Sequence, residues 1–165
     1  MSILDFLQRR KTERLLWENE DSGLKVQVWE KHDRLEMRFG NHIMQSVFSR
    51  INANHLVLPY SRFMVMGLIF CPEPKSALHF GLGGGSIPRW LHRQLPELQQ
   101  TVIEKNASVI EAAKRYFEFP VDKRIRVINE DAEKIIEKLE SKFDLIFLDA
   151  FGEYGAPEEV TNTLF

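Results

Sequence analysis

The chain has 165 residues, 44% hydrophobic, 11% aromatic and 28% charged, a balance that excludes a disordered, collagenous or coiled-coil protein and suits one main core with at most a small appended subdomain. Twenty-two Lys and Arg against 24 Asp and Glu leave a formal net charge of -2, so no global positive field exists to attract a nucleic-acid backbone, and no nucleic-acid partner is expected. A single cysteine, Cys71, excludes an internal disulfide and a multi-cysteine zinc site and makes the cytoplasm the expected compartment.

In chain order, residues 1–14 place their charges after a short apolar stretch, the reverse of a secretory signal. Arg9, Arg10, Lys11 and Arg14, interrupted by Glu13, read as a solvated helix face. Residues 24–29 and 35–39 alternate apolar with polar, as half-buried antiparallel strands do, with residues 31–34 as the turn between them. Pro59-Tyr60-Ser61 leads into residues 62–70, read as a buried helix whose Phe63, Met64, Met66 and Phe70 belong to the core. The apolar stretch from Phe63 to Cys71 is well short of the ~20 residues of a membrane-spanning helix, so no membrane partner is expected. Pro72 and Pro74 end this run. The pattern of the chain changes at these prolines, and by element type it divides into an N-terminal β-strand subdomain, residues 1–58, and a larger second domain, residues 59–165.

Beyond the prolines, strand and helix periods alternate. Strands are predicted at 77–80, 101–104, 124–128 and 143–148, and helices at about 87–94, 107–117 with Asn106 as cap, and 132–140. This β-α-β-α-β-α-β order predicts an α/β, Rossmann-like, mostly parallel sheet with right-handed crossovers. A sheet stopping at its fourth strand leaves an apolar strand near an edge, so the natural chain is expected to continue past Phe165, or a second subunit or the β unit to cover that edge.

The first predicted core strand runs straight into Gly81-Leu82-Gly83-Gly84-Gly85-Ser86 and then a helix, which is where backbone must turn tightly and approach a ligand. Without the flanking elements such a loop is equally a mere tight turn, and no Gly-Lys-Ser/Thr follows to make it a phosphate-gripping loop. Glu104 ends the next strand at the distance from Gly81 suited to an acid accepting both ribose hydroxyls. Asp131 and Asp149 end the third and fourth strands, so three acids line the carboxyl ends where open α/β sheets bind ligands, although Asp131 before Ala132 is equally a helix cap.

With this loop and these acids, the chain from about Leu16 to Phe165 resembles the spermidine synthase family, polyamine aminopropyltransferases built on the fold of class I methyltransferases that use S-adenosylmethionine (SAM). The likeness includes the β unit, Gln45 and the run from Pro74 to Gly81. The resemblance implies that Gly81, Gly83 and Gly85 approach the nucleoside, that Glu104 holds its ribose, that Asp131 meets the adenine amino group and that Gln45 contacts the substrates. Asp149 matches the family's proton acceptor, and Tyr60 is a further candidate for contact with the amine. Two departures weaken cation binding: Gly84 stands where the family's loop carries an aspartate, and Gly152 where its second acid after Asp149 would fall. Glu153 could stand in for that acid, and Tyr154 could wall the pocket.

The implied function is transfer of an aminopropyl group from decarboxylated SAM to a small amine such as putrescine. SAM-dependent methyl transfer and a non-catalytic nucleoside-binding module are the alternatives. His79 is not the acid that methyltransferases often place two residues before the first glycine, which favours the aminopropyl side, and it reads as a strand histidine satisfied by its neighbours. His32, His42, His55 and His92 form no metal-binding motif, so no metal is expected. No Gly-x-Ser-x-Gly elbow exists to support a serine hydrolase. The family resemblance and the open edge together imply a homodimer.

Overall fold

A computed structural model of the chain describes residues 13–40, 43–136, 139 and 142–149. Arg9, Arg10, Lys11, His42, Gly152, Glu153 and Tyr154 lie outside the described residues.

The N-terminal part is a four-stranded antiparallel meander, β1 (Glu13–Asp21), β2 (Leu24–Lys31), β3 (Arg34–Phe39) and β4 (Ile43–Ser49), paired in sequence order. The alternation in β2 and β3 puts Val26, Val28, Leu35 and Met37 in the core. Gly23 (φ 78) allows the β1–β2 turn. Arg14 belongs to strand β1 rather than to a helix face and pairs with Glu30 across the ladder at 2.9 Å. Strands β1 and β4 flank the two predicted strands, were not themselves predicted, and both meet their neighbours through a register shift.

Helix α1 (Pro59–Val65) starts on a proline, which the first helical turn tolerates because its N–H would be unpaired there. It tightens into a 3-10 turn, Met66–Ile69. Met64, Val65 and Leu68 pack inward against the sheet and α2, but Phe63, Met66, Ile69 and Phe70 are exposed, Phe70 by 91%. The expectation of a buried helix with Phe63, Met66 and Phe70 in the core is thus corrected. A short helix has only one inward face, and these residues fall on the other.

Next come β5 (Ser76–Phe80), α2 (Ser86–Gln94), β6 (Gln99–Ile103), α3 (Ala107–Tyr116), β7 (Ile125–Ile128), α4 (Ala132–Ile136) and β8 (Leu145–Leu148). The strands are all parallel, in the order β7-β6-β5-β8. This is the α/β architecture with a parallel sheet that the alternating periods predict. Ala77, Ile87, Leu91, Leu98 and Phe147 pack on one face of the sheet, and Leu78, Phe80 and Ile103 pack against α4 on the other. Edge strand β8 leaves Ile146 53% exposed.

The two sheets share a core through α3. Its buried face, Val109, Ile110, Ala112 and Ala113 with Phe117, packs against Val26, Val28, Leu35, Met37 and Phe48 of the meander. Side chains of burial like these each contribute about 1.5–3 kcal/mol when large and apolar. Asn106 caps α3 by accepting the Val109 N–H at 3.1 Å, as predicted, and its amide donates to the Asp21 carbonyl at 3.1 Å. The Asp21 carboxylate accepts the Ala107 N–H at 3.0 Å, favourable charge at a helix N-terminus. The end of β1 is therefore fastened to the start of α3. Among the described residues, no helix is long and apolar enough to cross a membrane.

Candidate functional site

The parallel register aligns Phe80, Ile103, Ile128 and Leu148 at one level. One residue further on, the Gly81 N–H donates to the Ile103 carbonyl (2.8 Å), the Glu104 N–H to that of Ile128 (3.0 Å) and the Asp149 N–H to that of Phe80 (2.9 Å). Glu104 and Asp149 therefore flank the glycine loop at the carboxyl edge of the sheet, two strand spacings or roughly 10 Å apart. In an open α/β sheet this edge is the ligand crevice.

The loop is built by its glycines. Gly81, Gly83 and Gly85 have φ of 87°, 51° and 65°, backbone that L side chains adopt at a cost of about 1–2 kcal/mol. At Gly85, the residue that precedes α2, an added Cβ would stand only 2.4 Å from Phe119 Cδ2. The tight turn reflects both backbone and space.

Glu104 closes one side of the loop. Its carboxylate accepts the Leu82 N–H and the Asn106 N–H, each at 2.9 Å. Burial raises its pKa above the ordinary carboxylate range, while the amides of Asn106, Leu82 and Gly83 pull it back. An oriented carboxylate with lone pairs to spare is suited to accept the vicinal hydroxyls of a ribose.

Asp149 closes the other side. Burial lifts its pKa from 3.8 to about 6, against the opposing pull of the Tyr60 hydroxyl, which donates to Oδ2 at 3.1 Å. The Tyr60 phenol is itself raised above its ordinary range, by burial and by the Asp149 charge, so it remains a donor. Tyr60 reaches this position because Pro59 starts α1 one residue earlier. The result is a carboxylate of moderate basicity, fixed in direction, at the mouth of the crevice.

The remaining candidates separate. Asp131 follows β7, where its Oδ1 accepts the Glu133 N–H at 3.1 Å, so the capping reading describes its contact. Gln45 is the unpaired residue of the bulge between β3 and β4, since Met37 pairs with Ser46 and Arg38 with Met44. Bulges re-aim side chains, and they cluster next to active sites. His79 is buried, pushed down to about 4 by burial, hydrogen-bonded to Gln100 Oε1 at 2.9 Å and stacked on Phe147. It is a packed neutral histidine, as read from the sequence. Among the described residues, no group of three or more His, Cys, Asp or Glu is placed to hold a metal ion.

Two polar residues that sequence reasoning passed over sit behind the loop. The Ser46 hydroxyl accepts the Gly84 N–H at 2.7 Å. The Arg89 guanidinium, only 2% exposed, donates to the carbonyls of Phe117 (2.7 Å) and Gly84 (3.3 Å). The Phe48 ring lies against that arginine, its centroid 4.7 Å from the guanidinium carbon, and meets the Phe117 ring edge-on. An arginine on the inner face of a short amphipathic helix was the one available signal.

A sequence profile described as S-adenosyl-L-methionine-dependent methyltransferase matches residues 94–165. The polyamine aminopropyltransferase of Neisseria meningitidis serogroup A is 32% identical over 77% of this chain and 49% of its own length. That of Vibrio vulnificus is 35% identical over 76% of this chain and 43% of its own length. The eEF1A lysine and N-terminal methyltransferase of Xenopus laevis is 31% identical over 64% of this chain and 17% of its own length. A probable spermidine synthase from Corynebacterium glutamicum superposes with a TM-score of 0.77 at 19% identity, over 88% of this chain and 55% of that one. The chain spans about half the length of the curated aminopropyltransferases it matches. From the meander to β8, the chain has a spermidine synthase-like fold of the class I methyltransferase type.

Proposed function

We infer that the chain is the nucleoside-binding part of a transferase whose co-substrate is a sulfonium nucleoside, decarboxylated SAM or SAM. The observation that carries this reading is the placement of Glu104 and Asp149 on either side of a positive-φ glycine loop, with Asp149 desolvated and fixed by Tyr60. Gly81, Gly83 and Gly85 face the nucleoside, Glu104 accepts its ribose hydroxyls, and Asp131 and Gln45 contribute further contacts. Aminopropyl transfer to a small amine is the finer proposal. The amine nitrogen attacks the methylene next to the sulfonium, the carbon–sulfur bond breaks with its electron pair going to sulfur, and neutral methylthioadenosine leaves. Asp149 attracts the cationic amine and takes the proton that the nitrogen must lose.

Methyl transfer is the second reading. It is supported by the methyltransferase profile over residues 94–165 and by the Xenopus relative. Two incubations separate these readings. Decarboxylated SAM with putrescine gives methylthioadenosine and a longer polyamine in the first case, whereas SAM with an acceptor gives S-adenosylhomocysteine in the second. Asp149→Asn should lower aminopropyl transfer by about 10²–10⁴-fold; near-full activity of that variant refutes the proton-acceptor role. Release of neither product leaves the binding-module reading in its place. The protein is further proposed to act in the cytoplasm as a homodimer, a state that a monomeric mass in solution would refute.

A further inference from the structure

The geometry points to Ser46 as a positioning residue for the nucleoside, a role that rests on the reading of Gly81–Gly85 as the nucleoside loop. Ser46 comes from β4 of the antiparallel meander, yet its hydroxyl accepts the Gly84 N–H at 2.7 Å, while Arg89 donates to the Gly84 carbonyl from the other side. Gly84 thus has its amide and its carbonyl each held by a buried side chain. The fit is steric as well as polar. A Cβ on Gly83 would stand 2.6 Å from Ser46 Oγ, and one on Gly84 would stand 2.9 Å from Ser46 Cβ and 2.8 Å from Phe117 Cδ1. The loop is pressed onto β4 with no room for a side chain at Gly84. Ser46 also adjoins the bulged Gln45, so one strand of the meander delivers both the loop clamp and a candidate substrate contact. Through this hydrogen bond the N-terminal sheet sets the direction of the loop amides before a ligand arrives.

The test measures binding of methylthioadenosine and of S-adenosylhomocysteine by calorimetry to the unchanged chain, Ser46→Ala and Ser46→Thr, with the unfolding midpoint of each ligand-free protein alongside. Ser46→Ala should weaken binding about tenfold, because a buried N–H loses its acceptor, and Ser46→Thr, which keeps the hydroxyl, should restore it to within about threefold. If the unchanged chain binds and Ser46→Ala binds equally well, the positioning role falls and the nucleoside reading stands. Loss in both variants marks a packing defect and overturns the role as well. If the unchanged chain binds neither nucleoside, the nucleoside reading itself fails and takes this role with it. Should Ser46→Ala not fold, amide exchange in the unchanged chain decides. A Gly84 N–H protected at least about tenfold without ligand supports the clamp, and one exchanging at the unprotected rate overturns it.

Discussion

Replacing Asp149 by Asn should make the protein more stable while removing its proposed base. Burial lifts the Asp149 carboxyl from 3.8 to about 6, so the fold disfavours its charged form by about 3 kcal/mol at ~1.4 kcal/mol per pH unit. The group binds its proton more tightly folded than unfolded. Its contribution is therefore fully present below the unfolded pKa and is lost as pH rises through about 6. Asparagine matches the neutral acid in shape and carries no charge at any pH. The advantage of the variant should therefore be small in acid and should grow by about 2 kcal/mol between about pH 4.5 and about pH 8. Urea unfolding of both proteins at several pH values, monitored by far-UV circular dichroism, reads this difference from the midpoints at constant slope. A stability difference flat across that range would refute the claim that Asp149 is held uncomfortably charged in the crevice. A stable but inactive variant would show the trade of stability for function that active-site carboxylates make.

The rate of amine transfer should fall as pH drops below about 6, because the base must be unprotonated to accept a proton; a profile still flat at pH 5 would exclude Asp149 as that group. Gly85→Ala should destabilise the chain by about 2–4 kcal/mol, combining a left-handed backbone at φ 65 with a Cβ 2.4 Å from the Phe119 ring, as read by thermal unfolding. Asn106→Ala should cost about 1–2 kcal/mol, since the cap of α3 and its bond to the Asp21 carbonyl are lost together. A loss under about 0.5 kcal/mol would mean that Asp21 alone satisfies the α3 N-terminus.

Much of the parallel half was legible because its signals are local. Residues 77–80 and 101–104 are short apolar runs bounded by breakers, Asn106 precedes a run with helical period, and the glycines stand between a strand and a helix. The loop with Glu104 could be read from spacing for the same reason. Strand β1 escaped because most of its residues are exposed or half-buried and a register shift between Leu15 and Trp17 breaks the period of two. Strand β4 escaped because the bulge at Gln45 interrupts its alternation. The helix at 59–65 was legible as a helix, but which of its apolar residues face inward depends on where the sheet and α2 lie. Phe63 and Phe70 were misassigned on that account.

By itself the sequence determined the α/β class, the order of the parallel strands' connections, the glycine loop between strand and helix and the acids at the strand ends, since each depends on residues close in the chain. Tertiary structure decided which of those groups act together. The Tyr60–Asp149 hydrogen bond joins residues 89 positions apart, and the Ser46–Gly84 bond joins residues 38 apart, across two sheets. Neither pairing leaves a period or a spacing in the sequence. The same holds for the desolvation that raises Asp149, which depends on what the fold packs around the carboxyl and not on the residues beside it in the chain.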